Sequence, residues 1–281
     1  MTDVVSIGAV AWSREELTAK LAEFSALYEQ RPIADNTGGM QSPQLFPAWF
    51  ALQALRPDVI VESGVFLGQG TWFFERACPG AELYCLEPRL DRIRYRSRRA
   101  RYFSTDFVSQ VWNGLPRDRT VLFFDDHQDA YERVLAARAL GFRHLLFEDN
   151  YPPGRGDCRS LKQVLSGADP GPKPPRSPVA RLTGWLGAVR EPRPRLPLRE
   201  CLEVYYEFPP VMKSDLTRWG DSWNTDRYPT APPLLERVQA GYQQCFADEV
   251  TSYTWLCYAR LYGAASPGAP RASSEPTESV A

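Results

Sequence analysis

The sequence predicts an α/β protein built on a Rossmann-like, doubly wound parallel sheet, and three stretches predict it. Asp58 to Val61 is a short apolar, β-branched run that ends on Glu62 and a turn holding Gly64, Gly68 and Gly70. Thr120 to Phe124 is a second apolar run, ending on Asp125-Asp126-His127, and Arg143 to Phe147 is a third, ending on Glu148-Asp149-Asn150. In such a sheet, consecutive parallel strands bring their C-terminal tips side by side at a ligand crevice.

Taken in order, residues 1–56 supply N-terminal helices and a lid. Ser13-Arg14-Glu15-Glu16 has the form of a capping box, and Leu17, Leu21, Phe24 and Leu27 follow at helical spacing. After a loop with Gly38-Gly39, Ser42-Pro43 opens a second helix carrying Leu45, Phe46, Trp49, Phe50, Leu52 and Leu55, whose aromatics are expected in the core. Asp35, Asn36, Thr37 and Gly38 in that loop are either an ordinary solvated connection or a lid over the crevice.

Residues 57–262 form the main domain. After the glycine turn, Thr71 to Cys78 reads as a helix stopped by Pro79-Gly80, and Ala81 to Leu86 as a strand closed by Glu87. Glycines in the turn let the backbone approach a ligand closely, and a carboxylate on the next strand tip accepts from ribose hydroxyls, so the expected ligand is a nucleoside. An acidic residue two before the first glycine is not the GxGxxG of dinucleotide enzymes. It resembles motif I of the class I S-adenosylmethionine (SAM) dependent methyltransferases, in which that acidic residue organises the loop around the methionine part. The SAM-holding set is then Glu62, Gly64, Gly68, Gly70, Thr71 and Glu87, with Asp106, at the tip of a short third strand Tyr102 to Asp106, accepting from the adenine amino group.

The two acidic tips would meet beside that ligand. Carboxylates brought together are costly unless a cation joins them or one stays protonated. Oxygen donors with open positions suit a hard divalent ion, Mg²⁺ above all, which lowers the pKa of a substrate hydroxyl. His127 then takes the proton as general base. The structural alternative has Asp126 and Asp149 capping helices or binding loop amides, with His127 packed in the crevice wall.

The order ESGVFLGQGT, LYCLEP, FFDDHQDAY, LLFEDNYP resembles the metal-dependent small-molecule O-methyltransferases over roughly residues 43–153. The catechol O-methyltransferase pattern implies Asp126, Asp149 and Asn150 as metal ligands; Asp126 and His127 are the catalytic candidates, the histidine taking the proton. WFALQALRPDVIVESG is similar to the cephalosporin-hydroxylase-like and sugar or macrolide O-methyltransferases, which implies Glu148 in place of Asn150. Whether Asp125 or Asp126 faces the ion is open, and Asp129 stands where catechol enzymes carry a lysine. The resemblance implies the class I strand order 3-2-1-4-5-7-6, with Leu202 to Phe208 and Tyr253 to Leu261 as the last two strands.

Three further stretches complete the chain. Residues 169–197 hold eight prolines and read as an insertion, and 209–232 as an acceptor loop before a helix Pro233 to Phe246. Lys213, Asp215, Arg218, Trp219, Asp221, Trp223 and Asn224 in that loop are candidates for contact with a hydroxylated acceptor such as a sugar. Residues 263–281, rich in Ala, Ser, Pro and Gly, are expected to be a disordered tail.

Composition bounds the function. At 281 residues, 43% hydrophobic and net charge −1, the chain is long enough for one sizeable domain and has no global pull toward nucleic acid. The seven arginines of Arg89 to Arg101 read as a solvated basic helical face; the competing reading is a phosphate patch for nucleic-acid methylation. Six cysteines form no CxxC pair, which favours reduced structural thiols. No apolar run reaches about 18 residues and the N-terminus lacks a basic start, so a cytoplasmic protein without a membrane partner is expected. The expected function is SAM-dependent O-methylation of a small-molecule hydroxyl; a SAM-fold binding subunit without turnover is the non-enzymatic alternative, and a homo-oligomer is left open.

Overall fold

A computed structural model describes residues 5–167, 196–224 and 226–263. The expected insertion (169–197, apart from its last two residues) and the tail beyond 263 lie outside them. Helices α1 (Arg14–Ala19), α2 (Leu21–Tyr28) and α3 (Ser42–Leu55) precede β1 (Val59–Ser63), α4 (Gln69–Ala77), β2 (Glu82–Leu86) and β3 (Ala100–Phe103). Then come β4 (Thr120–Phe124), α5 (Ala130–Ala139), β5 (His144–Phe147), α6 (Leu161–Leu165), α7 (Leu198–Cys201), β6 (Leu202–Glu207), α8 (Gln244–Asp248) and β7 (Cys257–Leu261). The capping box is formed, with Ser13 Oγ accepting from Glu16 N at 3.2 Å and Glu16 Oε2 from Ser13 N at 2.7 Å. None of the described helices is long and apolar enough to cross a membrane.

Seven strands form one sheet in the order β3-β2-β1-β4-β5-β7-β6. The five strands β1 to β5 pair in parallel, and β7 runs antiparallel between β5 and β6. Every residue of β1 and β4 is buried, as strands covered on both faces require. Alternation then divides the side chains between two cores. Ile60, Val121, Phe123 and Leu146 pack toward α1 to α4 and α8, while Val59, Val61, Leu122, Phe124, Leu145 and Phe147 pack toward α5 to α7.

Register is what positions the site. Ser63 lies opposite both Leu86 and Phe124, and Phe124 opposite Phe147. The ladder continues one residue further, through Gly64 N to Leu86 O, Glu87 N to Phe103 O, Asp125 N to Ser63 O and Glu148 N to Phe124 O, at 2.8 to 3.0 Å. Gly64, Glu87, Asp125 and Glu148 therefore stand in one row at the C-terminal edge of the sheet.

Four expectations are corrected. The arginine segment is not helical beyond a 3₁₀ turn at Leu90–Arg92, because Arg94 N and Tyr95 N both donate to Leu67 O at 3.0 Å and pin it onto the glycine turn. The third strand begins at Ala100 and ends at Phe103, short of Asp106. The helix expected over 233–246 is confined to α8 and a preceding 3₁₀ turn; Leu234 and Leu235 instead donate backbone hydrogen bonds to Pro210 and Val211, next to Pro232-Pro233. The last strand starts at Cys257 rather than Tyr253, since the backbone at the buried Trp255 is left-handed, at φ 58°. All six cysteines are free.

Candidate functional site

The strand tips open onto a cleft of about 390 Å³. At one end it is bordered by Glu87, Pro88, Thr105 and Asp106, beyond β2 and β3; in the middle by Ser63, Gly64 and Phe66; at the other end by Asp125, His127, Glu148, Asp149, Tyr151 and Arg218. Gly38, Gly39 and Met40 of the early loop form a further wall. The glycine turn and both acidic tips share this one hollow, and its volume falls in the range of small-molecule sites.

The turn packs tightly against its own chain, and of its three glycines Gly64 borders the cleft while Gly68 and Gly70 do not. Gly64 has φ +93°, and a Cβ there would fall 2.1 Å from Asp125 O; Gly68 has φ +94°, with a Cβ 2.1 Å from Tyr95 O. Glu62 does not line the cleft. It is 1% exposed beneath the turn, where Oε2 accepts from the Thr71 hydroxyl, and from the Cys85 thiol at 3.5 Å, while Oε1 has no hydrogen-bond partner. Burial pushes its carboxyl up to about 8. Thr71, fully buried, likewise acts under the turn rather than at the cleft wall. Glu87 does face the cleft; its two oxygens accept from Phe66 N and Arg89 N, each at 2.9 Å, and each keeps a lone pair for a hydroxyl. Asp106 borders the cleft with its carboxylate bound in a bidentate pair to Arg133, at 2.9 and 2.6 Å, and capping Val108 N at 2.9 Å.

The acidic tips place Asp125 and Asp126 in different surroundings. Donor atoms of Asp125, His127 and Asp149 lie within 4.8 Å of one another. Asp126 also borders the cleft, but its carboxylate is engaged elsewhere: Ser63 Oγ donates to it at 2.6 Å and Arg133 pairs with it at 2.8 Å. Asn150 is displaced too. It is fully buried, its amide nitrogen donating to Tyr205 OH at 2.8 Å and Trp255 O at 3.1 Å, its oxygen accepting from Lys162 N at 2.9 Å. Of the expected set Asp126, Asp149 and Asn150, the structure brings only Asp149 into the cluster of donors that could hold an ion, beside Asp125 and His127. Asp126 and Asn150 are spent on holding the two tips in place.

The cluster is electrostatically crowded. Burial and the neighbouring Asp149 charge push Asp125 and Glu148 well up. Asp149 is held low despite its burial, because Glu148 and His127 hydrogen-bond to its charged form. His127 Nδ1 sits 2.8 Å from Asp149 Oδ2 and 3.3 Å from Asp157 Oδ1. The hydrogen bond to Asp149, outweighing desolvation, raises His127 to about 9. That shift favours the protonated imidazole beside the carboxylates; the His127 backbone is itself left-handed, at φ 53°. Two carboxylates and an imidazole nitrogen fit a divalent cation, which would take over that balancing charge.

Two neighbours of the cluster escaped sequence reasoning. Arg133, 5% exposed on α5, ties the tips of β3 and β4 together, and Asp157 flanks His127. Arg133 lies in an ordinary helical run, so no sequence signal marks it. Of the acceptor-loop candidates, Arg218 lines the cleft and Trp219 packs edge-on against Tyr151 at 5.3 Å. Asp221 pairs with Arg155, and Lys213 lies over Trp223 at 4.8 Å; Lys213, Asp215, Trp223 and Asn224 are not part of the cleft wall.

Seven strands in this order, the last in sequence antiparallel between β5 and β6, decide the architecture. It is the class I methyltransferase fold. Solved structures similar to the chain include one described as cmcI-N160 SAH (16% identity, 40% of this chain and 62% of that one, TM-score 0.36). Others are the O-methyltransferase TomG of Streptomyces achromogenes in complex with SAM (17%, 63% and 75%, 0.34) and the SAH-bound methyltransferase PaMTH1 of Podospora anserina (14%, 67% and 85%, 0.35). The chain spans less than two thirds of the length of the first of these. No family model and no curated protein matches the chain.

Proposed function

We propose that the protein is a SAM-dependent O-methyltransferase acting on a hydroxyl of a small molecule, assisted by a divalent cation. One observation carries this reading: the glycine turn and both acidic tips open onto a common cleft, with a nucleoside-type carboxylate at one end and a cation-type donor set at the other. Glu87 would accept from ribose hydroxyls of the bound donor, and the backbone around Gly64 would hold its methionine part. Glu62 acts from beneath, fixing α4 to the turn through Thr71. Asp106 borders the adenine end.

Asp125, Asp149 and His127 would hold the ion. When bound, such an ion lowers the pKa of an acceptor hydroxyl. The oxygens favour Mg²⁺, as the sequence suggested, and the imidazole nitrogen favours a softer ion such as Mn²⁺. Asp126 is a positioning residue that joins Ser63 to Arg133. Gly38, Gly39 and Met40 wall the cleft on the side of the early loop.

Calorimetry with SAM, alone and with Mg²⁺ or Mn²⁺, tests the reading. Uptake of SAM by the wild type, with ion binding lost in Asp149→Ala, is expected. A wild type that takes up no SAM ends it.

A further inference from the structure

The arginines around the cleft are nearly all committed. Arg133 is held by Asp106 and Asp126, Arg159 by Asp129 at 2.9 Å, and Arg155 by Asp221. Arg218 is the exception. It lines the cleft, yet among the described residues no carboxylate lies within ion-pairing distance of it, and its one hydrogen bond goes to the neutral Tyr151 hydroxyl. Its guanidinium also lies over the Tyr151 ring, 5.3 Å from the centroid, in a wall continued by Trp219.

Placement says which ligand this group would meet. Strand order puts Glu87 and Asp106, beyond β2 and β3, at one end of the cleft, whereas Tyr151 follows β5 at the other. Arg218 therefore stands across the acidic cluster from the nucleoside end, where the methyl acceptor would enter. A planar fork of donors next to an aromatic wall suits an oxyanion carried on a flat acceptor.

We propose that Arg218 selects acceptors bearing an oxyanion, a carboxylate or phosphate monoester, beside the hydroxyl to be methylated. This deepens the methyltransferase reading and rests on it. A cation that only balanced Glu148 would show no preference among acceptors, and one that held the methionine carboxylate of SAM would act on the donor instead.

The experiment is equilibrium titration of the full chain loaded with Mg²⁺ and S-adenosylhomocysteine, which cannot donate a methyl group. The probes are 3,4-dihydroxybenzoate, 3,4-dihydroxybenzyl phosphate and the neutral 3,4-dihydroxybenzyl alcohol. At least one anionic probe is expected to bind about tenfold more tightly than the alcohol, the stronger of the two identifying the oxyanion. Arg218→Gln should abolish that difference and Arg218→Lys keep part of it, since lysine retains the charge without the fork. Equal binding of the three probes, no binding of the anionic ones, or a preference that survives Arg218→Gln overturns the proposal. So does an Arg218→Gln variant whose defect lies in SAM uptake. S-adenosylhomocysteine uptake, measured first, fails separately if the parent reading is at fault.

Discussion

At the scale of single residues, neighbours decide what each carboxylate does. Asp125 and Asp126 are adjacent and chemically identical, yet one joins His127 and Asp149 while the other is bound by Ser63 and Arg133. Asp125→Asn is expected to weaken divalent-ion binding at least tenfold by calorimetry; Asp126→Asn should keep ion binding and lower the melting temperature. The sequence brought the acidic tips into view but not this division, because it depends on Arg133 arriving from a helix that carries no motif. Glu62 makes a second prediction. The native state holds its proton up to about pH 8, whereas the unfolded chain releases it near 4.5. Between those values the native state binds more protons, so stability falls as pH rises, by up to about 1.4 kcal/mol per pH unit. Urea denaturation from pH 5 to 8 should show that decline in the wild type, and Glu62→Gln should make it shallower, leaving the share that Asp125, Glu148 and His127 contribute with the same sign. An unchanged slope in the variant would mean the proton is not held there.

At the scale of elements, strands and turns were legible where one local rule governed them. β1, β4 and β5 are apolar runs closed by acidic residues, and the capping box at Ser13 forms as read. Segments fixed by distant partners were not legible. The arginine stretch is bent by Leu67 O, and residues 233–240 follow the backbone of Pro210 and Val211. The turn after β1 tolerates little: Gly68→Ala places a side chain at φ +94° against Tyr95 O, and a loss of at least about 2 kcal/mol is expected in denaturant titration. The tip of β5 rests on a buried pair, Lys162 and Glu207, 8% and 2% exposed at their side chains, linked through Tyr205 to Asn150. Lys162→Met should cost about 3–5 kcal/mol by leaving Glu207 without its cation, and Lys162→Met with Glu207→Gln should recover much of that.

For the whole molecule, strand order matters more than any motif. The order was legible because the motifs arrive in the sequence of a known topology, and the shared register then places Gly64, Glu87, Asp125 and Glu148 in one row. The seven arginines illustrate what composition cannot convey. Arg94 pairs with Asp35 at 2.9 Å, Arg96 and Arg99 donate to backbone carbonyls, and Arg101 lies 3.7 Å from Glu82, so four of the seven are tied to their own chain although all seven are exposed. A ligand that binds the folded chain alone must stabilise all of it: SAM at a hundred times its dissociation constant should add about 2.7 kcal/mol, seen as a rise in melting temperature. No rise would count against the nucleoside end of the cleft.

The contact between Gly64 and the carbonyl of Asp125 carries a consequence for anyone redesigning this protein. The main chain that would cradle the donor is in van der Waals touch with the main chain that presents the cation ligands, and no side chain intervenes. The two halves share a hinge pin rather than a wire, so position 64 offers no handle for retuning one of them while sparing the other.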